Sequence, residues 1–249
     1  MSRWRAFAIH LGISLAVVGV LAFGLFYLWY PPHLLGFAGA AGLLALVAGV
    51  DIVAGPLLTL IVYKAGKKSL KFDLSVIALA QLCFLAYGLW TVWATRPVYI
   101  VAGARDFEVV FANEISAADL AQAENEIYAR LPWLGPQLVS TRAPANEQER
   151  NQVLEGDLIG KGISKRPRYF QPFAEGAART LGLARGPDAI EQFSWYVDAP
   201  VLAAVKARFA AQPETRFLPV ASSRGMALYR IDMDSGEPLE YVATESTAE

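Results

Sequence analysis

The stretch Gly49–Leu74, GVDIVAGPLLTLIVYKAGKKSLKFDL, decides the fold. It sets one carboxylate, Asp51, and a Gly55–Pro56 pair inside an apolar run. It then ends that run with Lys64, Lys67, Lys68 and Lys71. A carboxylate is disfavoured among apolar groups unless it is neutral, paired or facing protein. Clustered lysines stop an apolar helix at an anionic membrane surface. Together these features predict a membrane helix with one polar group near mid-depth and a basic loop at its end.

Composition agrees with a membrane protein. The 249 residues are 55% hydrophobic and 18% charged, against about 25% charged in an ordinary soluble domain. Mean hydropathy is +0.34. Residues 1–95 carry six basic and two acidic side chains, net +4, whereas residues 96–249 carry sixteen basic and twenty-one acidic, net −5. The polar part is mildly acidic, which excludes a nucleic-acid binder. Cys83 is the only cysteine, so no intrachain disulfide and no CxxC motif can form. Its apolar surroundings predict a packing residue.

Ala6–Trp29, Gly36–Tyr63 and Leu74–Ala94 each supply the roughly 20 apolar residues that a membrane span needs. The first follows Arg3 and Arg5 but is too long for a cleaved signal segment, and no small-x-small site follows it, so it is expected to persist as an anchor. The loop Tyr30–Gly36 has no charge, while the next loop holds the four lysines. The positive-inside rule then places the N-terminus and the lysine loop in the cytoplasm. Residues 96–249 fall on the far side, in a bacterium the periplasm. Tyr27, Trp29 and Tyr30 and also Tyr87, Trp90 and Trp93 fall at that same far interface, where aromatic belts form. Lys64, Lys67, Lys68 and Lys71 are read as membrane-surface residues, with a docking site for a cytoplasmic partner as the alternative.

At about 1.5 Å per residue, Asp51 lies roughly 18 Å from the cytoplasmic end of its helix, and Ser14 and Gln81 roughly 12–14 Å from theirs. His10 falls closer to the cytoplasm. Asp51, Gln81 and Ser14 are therefore expected to form one polar layer. Pro56 cannot donate to the Ile52 carbonyl, so a kink and a freed carbonyl at Ile52 are expected. Gly36, Gly39, Gly42, Gly49 and Gly55 permit close helix approach. Packing among the three spans explains these features, and so does a lateral groove that accepts a fourth helix from a partner. In the second case Asp51, Gly55, Pro56, Gln81 and Ser14 are the partner-binding residues. Proton transport is weaker, because one Asp and one His make no continuous relay.

Residues 96–249 are expected to form one α+β domain with a mainly antiparallel sheet. Strands are predicted at 97–103, 107–112, 137–142, 216–222, 226–232 and 239–243. Helices are predicted at 116–131, 146–159 and 199–212, with Ser116 capping the first. Residues 168–176 read as an aromatic-rich irregular loop, and 244–249 as a disordered tail. The basic stretch Lys161, Lys165, Arg166 and Arg168 beside Tyr169 and Phe170 reads as an exposed loop or a partner surface. This domain has no histidine or cysteine, and no GxSxG, HExxH or P-loop, so neither an enzyme nor a metal or other cofactor is expected.

The residues MSRWRAFAIHLGIS, AGVDIVAGPLLTLIVYKAGKKSLKFDL and SVIALAQL, with weaker likeness through RPVYIVAGARDFEVVFANEI and LPWLGP, resemble the type IV pilin accessory proteins of the TfpX/TfpZ type. The likeness covers most of residues 1–135. It implies an inner-membrane protein that binds the major pilin, chaperone-like, and assists pilus assembly or dynamics, with other assembly components and membrane lipids as further partners. It transfers no catalytic residue. The alternative is a membrane-anchored sensor or structural protein whose outer domain binds a small ligand or an envelope component.

Overall fold

A computed structural model describes residues 2–30, 34 and 40–244. The chain divides into two compact units, one of residues 1–31 and 39–95 and one of residues 32–38 and 96–249.

The first unit is helical: α1 (Arg3–Leu28), α2 (Ala40–Ala48), α3 (Gly55–Val62) and α4 (Leu70–Ala94). A π-helical turn, Gly49–Ala54, joins α2 to α3. Three helical stretches, Arg3–Leu28, Ala45–Val62 and Leu70–Ala94, are long and apolar enough to cross a membrane. Their outer faces stay apolar, with Val20, Phe23, Ile61 and Leu79 exposed. Inside the unit, α3 packs against α1 and α4. Trp29 meets Trp93 edge to face, with centroids 5.1 Å apart, and the Tyr30 hydroxyl donates to the Thr95 carbonyl at 3.3 Å. Cys83 is exposed on α4 rather than packed. α4 has no polar stripe to tell a sequence which face turns inward, and the buried face runs through Ile77, Gly88 and Val92 instead.

The second unit is built on a seven-stranded sheet of order β4-β3-β1-β2-β5-β6-β7. The strands are β1 (Pro97–Ala102), β2 (Phe107–Phe111), β3 (Gln137–Thr141), β4 (Phe170–Pro172), β5 (Arg216–Ser222), β6 (Gly225–Ile231) and β7 (Pro238–Thr244). The sheet is mixed, not mainly antiparallel. β1 and β2 form an antiparallel hairpin at its centre, but β3 joins β1 in parallel and β5 joins β2 in parallel. Hairpin signals fix only local pairs. The parallel neighbours are set by long connections that return the chain to the end where the inner strand began. Thr244, expected in the tail, pairs with Ala227 in β7; the rest of that tail, 245–249, lies outside the described residues.

The helices of this unit differ from expectation in two places. Only α5 (Ala117–Leu120) and a 3₁₀ turn, Glu126–Tyr128, form where one long helix was expected. A continuous helix would turn Ile127 toward the sheet. Instead Asn125 caps the Ile127 N–H, Ile127 stays exposed, and Tyr128 is buried against Tyr99 and Phe170. The aromatic contact wins over helical period. α6 (Glu147–Leu158) forms where a helix was expected, and Asn146 caps it. The residues read as a loop become β4 and the start of α7 (Phe173–Leu183). This helix packs on β1, β3 and β4. Gly176 lets it approach, since a Cβ there would lie 2.4 Å from the Ser140 Cβ. α8 (Ala199–Arg208) completes the set. One core cluster centres on Val98, Tyr99, Val101, Val110, Val139 and Phe170. Burial pushes the Tyr99 hydroxyl up to about 12.

Candidate partner cleft around Asp51

Pro56 lacks the N–H that an α-helix would aim at Ile52. The chain answers by widening the preceding turn: the Gly55 N–H bonds the Val50 carbonyl, five residues back. In that register Pro56 would face the carbonyl of Asp51. The Asp51 carbonyl is therefore left without a donor in its own helix, and Gln81 Nε2 donates to it at 3.3 Å. The same amide donates to Asp51 Oδ1 at 3.4 Å. One glutamine therefore serves two of the acceptors of Asp51. Gly55 makes room for it: a Cβ at Gly55 would lie 2.0 Å from Gln81 Nε2.

Asp51 is 5% exposed, yet its second oxygen, Oδ2, has no partner among the described residues. Asp51 lines a cleft of about 220 Å³ together with His10, Ile13, Ser14 and Val17 of α1 and Ala78, Gln81, Leu82 and Leu85 of α4. A single water needs only about 10–15 Å³ on that scale, so the cleft has room for side chains. Ile13 and Leu82 at its rim are exposed. The result is a largely apolar groove with the buried Asp51 among its lining residues. Buried polar groups are nearly always hydrogen-bonded, so the unpartnered oxygen is an exception within this unit.

Of the residues expected to act together, Asp51, Gln81 and Ser14 line this one cleft, and Gly55 shapes it. Pro56 is buried in α3 and acts through the π turn. Sequence reasoning missed Thr59 and set His10 apart. Their side chains, His10 Nδ1 and Thr59 Oγ1, lie 2.6 Å apart and tie α1 to α3. The signal was present as spacing by four: His10 with Ser14, and Asp51 with Gly55 and Thr59, each on one helical face.

Elsewhere, Lys64, Lys67, Lys68 and Lys71 lie in and just after the loop before α4, where Lys67 pairs with Asp73 at 2.6 Å. In the second unit the basic stretch is matched internally. Lys161 meets Asp119 at 3.2 Å, Lys165 meets Glu114 at 3.0 Å, and Arg168 meets Glu149 at 2.7 Å. Among the described residues, no group of three or more His, Cys, Asp or Glu side chains is placed to hold a metal ion.

The family described as Fimbrial assembly protein FimB matches residues 1–32. The fimbrial assembly protein of serogroup E1 from Dichelobacter nodosus is 28% identical over 88% of this chain and 86% of its own length. That of serogroup I from the same organism is 28% identical over the same shares. The fimbrial assembly protein of serogroups C1 and C2 from Dichelobacter nodosus is 33% identical over 46% of this chain and 89% of its own length. No solved structure matches. A third of positions identical along nearly the whole of that relative, with the longer likenesses beside it, establishes that the chain belongs to the family of fimbrial assembly proteins.

Proposed function

We propose that this protein is a non-catalytic accessory factor of type IV pilus assembly that holds the apolar helix of a pilin subunit in the Asp51 cleft before or during incorporation. It crosses the bacterial inner membrane three times, with the N-terminus and the Lys64–Lys71 loop in the cytoplasm and residues 96–249 in the periplasm. The family supports the assembly role. The exposed apolar faces of α1, α3 and α4 support the lipid environment.

The observation that carries the proposal is that Asp51, whose Oδ2 has no partner among the described residues, lines an apolar cleft. In hydrocarbon an unsatisfied acceptor costs free energy that a passing lipid tail cannot relieve. A partner helix bringing one donor relieves it and fills the groove at once. Gly55 and Gln81 set the floor, and Ser14 one wall.

The test is to tag the full chain, purify it from its own membranes, and measure both its abundance and the pilin recovered per molecule. Asp51→Ala is expected to lower pilin per molecule while abundance holds. Falling abundance with unchanged pilin per molecule would show that Asp51 only packs the three helices. Absence of pilin from the wild-type purification, with a small envelope component in its place, would favour the sensor alternative.

A further inference from the structure

The connection from β2 to β3, residues 112–136, crosses the end of the sheet at which β1 begins, because β3 runs parallel to β1 and starts beside it. At that end the loop Leu131–Pro136, LPWLGP, is fastened twice. Arg96 donates from Nη2 to the Pro132 carbonyl at 3.0 Å. The Tyr99 hydroxyl donates to the Arg130 carbonyl at 3.4 Å. Both anchors are buried, so the loop is held rather than loose. Between Pro132 and Pro136 it presents Trp133, 73% exposed, and Leu134, 64% exposed.

Chain distance says where such a pair is used. Arg96 follows Ala94, the last residue of α4, by two positions. The apolar part of α4, Leu74–Ala94, spans about 31 Å at 1.5 Å per residue, which matches a hydrocarbon core of about 30 Å. Resting on the three-span topology proposed above, this puts Arg96 in the headgroup layer at the outer face. The carbonyl it holds cannot be far from that layer. Tryptophan is the side chain that the interface favours, with an apolar body and one polar N–H.

We propose that the Trp133–Leu134 tip is a second membrane contact: it enters the outer leaflet of the membrane that α4 crosses and seats the sheet unit against the lipid surface. The surface it meets is lipid at headgroup depth. Pilin helix docking in the Asp51 cleft does not call for it.

The experiment uses the full chain in vesicles of phosphatidylethanolamine and phosphatidylglycerol. Because Cys83 is the only cysteine, Leu134→Cys in a Cys83→Ser background accepts one environment-sensitive fluorophore at the tip. The native chain accepts the same fluorophore at Cys83, which is exposed on α4. Lipids carry a nitroxide quencher either near the headgroup or deep in the acyl chain. The label at residue 134 is expected to emit to the blue of the dye in water and to lose intensity mainly to the shallow quencher. The label at Cys83 is expected to lose intensity mainly to the deep one. Quenching at Cys83 with none at residue 134 overturns this proposal and leaves the three-span topology standing. No quenching at either position overturns the topology itself. Quenching at residue 134 that appears only after pilin is added overturns the proposal in favour of a protein contact.

Discussion

Gly55→Ala isolates the fit between the π turn and α4. The new Cβ would sit 2.0 Å from Gln81 Nε2 and 2.4 Å from its Cδ, well inside contact distance. What it strikes is the free end of a long side chain, so Gln81 swings away and the helices stay. The swing breaks the bonds to Asp51 O and Oδ1. Interhelical hydrogen bonds in membranes average about 0.6 kcal/mol, so the pair is worth about 1 kcal/mol. Against this, replacing Gly by Ala in a helix gains up to about 1 kcal/mol. The two cancel, and the single substitution is expected to leave stability almost unchanged. A double-mutant cycle separates them. In a Gln81→Ala background no amide is left to displace, so Gly55→Ala should stabilise by up to about 1 kcal/mol, roughly a fivefold change in the unfolding equilibrium. The assay is reversible unfolding of the purified full chain in mixed micelles by increasing SDS, followed by tryptophan fluorescence. Equal effects of Gly55→Ala in the two backgrounds would refute the coupling and the role assigned to Gln81.

Three further outcomes follow from the same geometry. Gly176→Ala brings a Cβ within 2.4 Å of the Ser140 Cβ, which is buried and cannot swing, so thermal melting should show a loss of about 1–3 kcal/mol from overpacking. Two carboxylates should respond to pH with opposite sign. Burial, only partly offset by Ser164 and Lys165, holds the Glu108 carboxyl above its ordinary range. Its contribution favours the fold in acid and is lost as pH rises through that raised value. Glu108→Gln should therefore stabilise the protein at neutral pH and do nothing in acid. Glu149 is held below its ordinary range by Arg142, the Ala145 N–H and Arg168. Its contribution is present at neutral pH and lost as pH falls through the lowered value, so Glu149→Gln should destabilise at neutral pH and converge with the parent in acid melts. Reporter fusions after Trp29 and Arg96 should be active in the periplasm and a fusion after Lys68 in the cytoplasm; a cytoplasmic signal after Arg96 overturns the orientation.

The apolar helices and most strands were legible because their signals are local. The β1–β2 hairpin shows as two apolar runs around Ala104–Asp106, and α6 shows its Asn146 cap. The polar layer was legible from depth alone, since rise per residue puts Asp51 and Gln81 at similar heights. What failed was whatever depended on a distant partner. The parallel pairs β1–β3 and β2–β5 are set by where long connections return. The helix expected over 116–131 gave way to burial of Tyr128 between Tyr99 and Phe170. α7 was missed because residues 168–176 read as an irregular aromatic-rich loop, and the close contact of Gly176 with Ser140 shows only in the fold. The bond from Gln81 to the Asp51 carbonyl was not foreseen because α-helical spacing was assumed where the chain makes a π turn.

Asp51 divides its work between its two oxygens, and Asp51→Asn divides it experimentally. Oδ1 accepts from Gln81, whereas Oδ2 has no partner among the described residues, and Asp51 lines the cleft. An asparagine can keep its carbonyl oxygen toward Gln81 and turn its NH₂ into the cleft, since the alternative sets two amide donors against each other. The internal bond then survives, and the floor of the groove changes from acceptor to donor. A helix that approaches with a neutral donor meets a second donor there and loses one interhelical hydrogen bond, about 0.6 kcal/mol or roughly a threefold loss of pilin per molecule. A helix that approaches with a cation loses a charge pair as well, and its loss should be as deep as that of Asp51→Ala. Abundance of Asp51→Asn should match the parent in both cases, because the bond from Gln81 is retained. If Asp51→Asn instead lowers abundance as much as Asp51→Ala while the pilin recovered per molecule stays at the parent level, Oδ2 has no partner to lose, and the cleft is only the seam where three helices meet.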